Sequence, residues 1–164
     1  MLTETLLLIN QKQKMESITN KPKVISSKEG TKFNIMGHEV TAKLHSWDGN
    51  DNYVFWMSSP LGSGLPPHVH TNEDEVVYIL EGELEVMIGG EVFKATAGDC
   101  LNLVRNVPHA YTVSGTTDAK TLWYVSPGKS FEVFFDELSH FVPGPPDMEK
   151  LNSLCEKHGM KFLI

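Results

Sequence analysis

A chain of 164 residues is long enough for one domain with a full core and short for two. Its 40% hydrophobic and 21% charged content is that of an ordinary globular protein, not a disordered or fibrous one. A net charge of -7 argues against a broad contact with nucleic acid or an anionic membrane, and no apolar run reaches the roughly 18 residues of a transmembrane helix.

The start, "MLTETLLLIN", lacks a basic n-region and a small-residue cleavage site, so no secretory signal is expected and a cytoplasmic location is. Thr3 to Lys14 is rich in helix formers, and Met15 offers an alternative translation start. Residues 1–24 are therefore expected to be a weakly ordered or short helical extension. The cysteines, Cys100 and Cys155, lie far apart and outside any CxxC pattern, which points to a reducing compartment.

From Lys32 the pattern is that of strands. "KFNIMGHEVTAKLHSW" predicts two strands around a turn near Met36–His38, and "YVFWMSS" a third, stopped by Pro60. Within it, Val54 and Trp56 share one face and Phe55 and Met57 the other; either pair can form an apolar pocket wall. "LGSGLPP" reads as a Gly/Pro loop, and "EVVYILEG" as a strand ending at Gly82. "ELEVMI" alternates, with Leu84, Val86 and Ile88 on one face, and Gly89-Gly90 signals a two-residue hairpin into "EVFKA". "CLNLV", "HAYTV" and "AKTLWYVS" complete about nine short strands, the signature of an all-β barrel or sandwich. A jelly roll or barrel hides its strand edges and leaves a mouth for a ligand.

After Pro127 the texture becomes helical. "SFEVFFDELSHF" places Phe131, Phe134, Phe135 and Leu138 on one helix face, which reads as packing against the barrel. "DMEKLNSLCEKHG" has Asp147 as N-cap and Gly159 as terminator. The expected layout is the barrel over 25–127 and a helical tail over 128–164 packed on its outside.

Four residues carry the chemistry. His68 and His70 stand at i and i+2, so on a strand they point to one side and can grip one ion. Glu75 follows five residues later, and His109 comes one hairpin further on. Three imidazoles and a carboxylate suit one divalent first-row transition metal (Fe, Ni, Mn, Co, Cu or Zn), with positions left open for substrate. Glu75 lies an odd number of residues from His70, so "TNED" must bulge or turn to bring it round, after which Glu75, Val77 and Ile79 face the interior. Glu73 and Asp74 read as solvated turn residues, and His38, His45, His140 and His158 as surface or structural histidines. Tyr111 shares strand parity with His109 and is a candidate catalytic hydroxyl; packing is the equal alternative. Cys100 reads as a buried, inert thiol.

Gly62, His68, His70, Glu75 and Gly82 resemble the first conserved motif of the cupin superfamily, G-x5-H-x-H-x4-E-x6-G, at every fixed position. The second motif, G-x5-P-x-G-x2-H-x3-N, is met at Gly98 and His109, whereas Val104, Asn106 and Val113 replace its Pro, Gly and Asn. Asn adopts a left-handed turn more readily than most residues, so Asn106 is a mild departure. The resemblance covers about residues 50–126 and implies a cupin-type jelly-roll β-barrel with His68, His70, Glu75 and His109 as metal ligands. Single-cupin chains with a helical tail resemble the quercetin 2,3-dioxygenase-like group. That likeness implies a dioxygenase acting on a small phenolic or enolic substrate, with Glu75 also serving as a base. The same ligands serve a metal-dependent isomerase, lyase or cyclase of a small carbonyl compound, and a non-enzymatic small-molecule-binding cupin is a third reading. Cupins often pair through outer strands, so a homodimer is expected, with no nucleic-acid or membrane partner.

Overall fold

The computed structural model describes residues 23–48, 50–141 and 147–163. The helix predicted over Thr3–Lys14 and the alternative start at Met15 lie outside the described residues.

Apolar residues at every second position form the strands β1 (Thr31–Ile35), β2 (His38–Leu44), β3 (Tyr53–Ser59), β4 (Gly64–His70), β5 (Asp74–Glu81) and β6 (Glu83–Ile88). They continue as β7 (Glu91–Thr96), β8 (Cys100–Leu103), β9 (His109–Ser114) and β10 (Ala119–Ser126). Then come the helices α1 (Lys129–Ser139) and α2 (Met148–Lys157), and a last strand β11 (Met160–Phe162). The strands make two sheets, ordered β1-β2-β3-β10-β5-β8 and β11-β4-β9-β6-β7. Every described pairing is antiparallel. No helix among the described residues is long and apolar enough to cross a membrane.

The two faces of β3 separate cleanly. Phe55 and Met57 are buried, whereas Val54 and Trp56 lie on the opposite, outer side. Phe55, Val77, Trp123 and Val125 form one core cluster with the apolar stripe of α1, and Ile79, Leu84, Val86 and Val113 form a second. Phe55 stacks on Trp123 at 5.8 Å between ring centroids and on Phe131 at 6.1 Å. Burying side chains of this size contributes roughly 1.5–3 kcal/mol each, which fixes α1 against the sheet.

The predicted two-residue hairpin at Gly89-Gly90 is present, with Ile88 opposite Glu91. Asp147 caps α2, its side chain accepting from the Glu149 and Lys150 amides at 3.2 Å each. Gly159 ends that helix with φ 78°, and a Cβ there would lie 2.3 Å from Asn72 Nδ2.

Two strands go beyond the sequence expectation. β4 begins at Gly64, inside the stretch read as a loop. Pro66 and Pro67 sit where the β4–β9 register shifts, between Leu65 and His68, a place where a missing N–H costs little. The tail is also more than helices. β11 joins the sheet beside β4, with Met160 opposite His70 and Phe162 opposite His68.

Candidate metal centre

His68 and His70 lie on β4, His109 on β9 directly opposite His68, and Glu75 on β5 of the other sheet. The bulge or turn expected between His70 and Glu75 is a turn that crosses between the sheets. The chain leaves β4 at His70, bends through Thr71–Asn72 and enters β5 at Asp74. That bend is clamped from the tail, the Thr71 amide donating to Gly159 O at 2.8 Å and Asn72 Nδ2 to His158 O at 3.0 Å. Parity along one strand therefore does not apply, and Glu75 faces the histidines across the interior.

All four side chains are buried, each at 3% exposure or less. One ring nitrogen from each of His68, His70 and His109 lies within 4.8 Å of the other two. Glu75 Oε2 stands 3.3 Å from His109 Nε2 and 3.8 Å from His70 Nε2. Backbone carbonyls orient two of the rings. A carbonyl can only accept, so His68 Nδ1–H donates to Pro66 O at 2.9 Å and His109 Nδ1–H to Val107 O at 3.1 Å. This leaves each Nε2 as a lone-pair donor aimed inward, the arrangement that holds metal-binding imidazoles in place. His109 Nε2 is fully buried and, among the described residues, has no hydrogen-bond partner, which leaves its lone pair free for a metal.

Electrostatics sort the set. Burial, reinforced by the neighbouring His109 and His70, pushes the His68 pKa down to about 3 and keeps that ring neutral. Burial also opposes charge on His70, but the carboxylates of Glu75 and Glu73 outweigh it and raise its pKa. Burial alone would raise Glu75; the surrounding His70, His109 and His68 rings outweigh it and hold the carboxyl below its ordinary range. Converging imidazole lone pairs beside an ionised carboxylate fit a first-row divalent metal.

The cluster opens into a cavity of about 390 Å³, within the usual range for a small-molecule site. Its walls are mainly apolar, with Phe55, Met57 and Trp123 from the barrel and Phe131, Phe134 and Phe135 from α1. Met160 and Phe162 of β11 contribute as well, so the tail helps build the cavity. Tyr111 lines it, and burial raises the pKa of its hydroxyl despite a hydrogen bond with Ser59. His38 also lines the wall, its Nδ1 2.9 Å from Ser59 Oγ.

Residues 55–125 match the family model of the cupin domain. The chain carries a cupin domain. It is 29% identical to quercetin 2,3-dioxygenase of Bacillus subtilis (strain 168) over 92 residues, which are 55% of this chain and 27% of that relative. The chain thus spans about a quarter of that relative's length. A predicted oxalate decarboxylase from Thermotoga maritima superposes with a TM-score of 0.56 at 28% identity, over 63% of this chain and 97% of the other. KdgF from Halomonas sp. shares the fold, with a TM-score of 0.59 at 19% identity over 65% and 94% of the two chains.

The departures from the second cupin motif have local explanations. Asn106 adopts φ 64°, the left-handed turn that Gly supplies elsewhere, and its amide donates to His70 O at 2.7 Å. Val104 is 43% exposed, so the missing Pro leaves no gap in the core, and Val113 is buried among apolar neighbours.

Glu73 and Cys100 differ from their sequence reading, whereas His45, His140 and His158 keep the surface or structural roles read for them. Glu73 is not solvated; it is 1% exposed, because the clamped bend turns it inward. Asp74 is held by Arg105, which donates to it from Nε at 3.0 Å and Nη2 at 2.7 Å and keeps its pKa at about 2. Cys100 is exposed, since it opens the edge strand β8. His45 hydrogen-bonds Glu132 and stacks on Trp47, a structural role, and His140 caps the end of α1. His158 caps α2. The involvement of His38, Glu73 and β11 had no signature in the sequence, because none belongs to a spaced motif.

Proposed function

We propose that this cupin binds one divalent transition metal through His68, His70, His109 and Glu75 and acts as a dioxygenase on a small phenolic or enolic substrate. The observation that carries the reading is the convergence of three buried imidazoles and one ionised carboxylate on an apolar cavity of about 390 Å³. The similarity to a quercetin 2,3-dioxygenase supports the reaction class. When bound, such a metal supplies Lewis acidity and a meeting point for an electron-rich substrate and O₂.

The chain's own groups divide the remaining work. The aromatic walls exclude water and take up an apolar, planar body. Glu75, ionised and facing the cavity, can accept the proton of an acidic substrate hydroxyl. Tyr111 stays protonated, so it donates a hydrogen bond to a substrate oxygen instead of acting as a base. Ser59 links it to His38. Two copies pairing into a homodimer complete the proposal.

The test is elemental analysis of protein purified without a metal-affinity tag, with O₂ uptake measured on a panel of phenols and enols. About one equivalent of metal with O₂ uptake is the expected result. Bound metal with product formed and no O₂ consumed would replace the dioxygenase by an isomerase or lyase. Absence of metal after reconstitution would remove the centre itself.

A further inference from the structure

Glu73 is a buried carboxyl group that the proposed reaction does not use. It is 1% exposed, and among the described residues neither carboxyl oxygen has a partner within ordinary hydrogen-bond geometry. A carboxyl group withdrawn from water without a partner is costly, so its position calls for a compensating group. The nearest is His70, whose Nδ1 lies 3.5 Å from Glu73 Oε2.

The other two histidines show what that contact is for. Pro66 O and Val107 O each hold the Nδ1–H of a ring two residues further on. Among the described residues no carbonyl accepts from His70 Nδ1; Glu73 stands there in its place. The segment is held on both sides. The tail clamps Thr71 and Asn72, and Asn106 N–H holds His70 O at 2.7 Å. Arg105 N–H holds Asp74 Oδ1 at 2.8 Å. Glu73 is thus positioned by the fold, not by chance side-chain rotation.

We propose that Glu73 is a positioning residue for the metal centre, accepting the Nδ1–H of His70 so that Nε2 of that ring faces the metal as the stronger donor of the three. A carboxylate partner makes an imidazole more electron-rich than a carbonyl partner does. The centre is then asymmetric, with two rings held by backbone carbonyls and one by a buried side-chain carboxyl group. This rests on the metal reading above, and the test separates the two.

Metal-free wild type, Glu73→Gln and Glu73→Leu are titrated with Co²⁺ against a chelator, following the visible spectrum of the bound ion. Glu85→Gln, an exposed carboxylate on β6, serves as control. The expected result is Co²⁺ affinity lowered roughly tenfold in Glu73→Gln and up to about a hundredfold in Glu73→Leu, with a shifted spectrum and an unchanged control. A second measurement needs no variant: in Zn²⁺-loaded wild type, the His70 Nδ1 proton should resonate downfield of those of His68 and His109. Equal Co²⁺ affinity in wild type and both variants, or an unprotonated His70 Nδ1, overturns the role of Glu73 and leaves the centre intact. Failure of wild type to bind Co²⁺ or Zn²⁺ overturns the centre itself, and the Glu73 role with it.

Discussion

Phe162 lies opposite His68 in the antiparallel ladder between β11 and β4. The strand carrying two of the proposed ligands therefore runs between β9 on one side and a three-residue strand from the far end of the chain on the other. Without β11, β4 becomes a sheet edge and the cavity loses Met160 and Phe162. Removing residues 160–164 should lower Tm by several degrees and reduce metal content, while far-UV circular dichroism keeps its β character. Unchanged metal retention in the shortened chain would show that β11 does not support the centre.

Each histidine of the cluster should be individually necessary. Loss of an outer partner already costs a metal site roughly tenfold or more in affinity, so His68→Ala, His70→Ala and His109→Ala should each cost at least that. His140→Ala, at the exposed end of α1, should leave metal content unchanged. Stoichiometric metal in all three cluster variants would refute the ligand assignment.

The two thiols should differ sharply in reactivity. Cys100 is exposed, whereas Cys155 is 1% exposed and burial pushes its pKa up to about 11. Only the thiolate attacks a disulfide reagent. One thiol should react quickly with such a reagent in the native protein and the second only after denaturation, and Cys100→Ser should abolish the fast phase.

His38 should make the metal-free protein sensitive to mild acid. Burial lowers its pKa, so the folded state prefers the neutral ring. The unfolded chain binds this proton near pH 6.5, and the stabilisation is present above about that pH. It is lost as pH falls through that value toward the lower folded pKa. Urea melts should show stability declining below about pH 6.5, with a shallower decline in His38→Gln. An identical pH slope in the variant would remove His38 as the cause.

The proposed homodimer has a candidate face. Trp56, Leu122 and Tyr78 stand side by side on the outer surface of β3, β10 and β5, with Leu122 37% and Tyr78 43% exposed. Contiguous apolar surface of this kind commonly marks an interface. Sizing with light scattering should give a dimer for wild type and a monomer for Leu122→Asp. A monodisperse wild-type monomer would sink the idea.

Much of this centre is written in local sequence. His68 and His70 share a strand face by simple parity, and the Gly62-to-Gly82 spacing places them before a strand whose Glu75 turns inward. Gly89-Gly90 and Asp147 announce a hairpin and a helix start because turn and cap chemistry acts within a few residues. The alternating strands predict an all-β barrel or sandwich for the same reason. What the tertiary structure alone decided depends on contacts between distant segments. β11 is too short to carry a period, and it is a strand only because β4 offers an edge. Glu73 looks like a solvated turn residue until the distant Gly159 and His158 carbonyls clamp the bend and turn it inward. Phe131 and Phe135 read as simple packing until α1 folds back to close the cavity above the histidines. Periodicity and caps are local and legible; burial and partnership are set by which remote segment arrives, and no window of neighbouring residues contains that information.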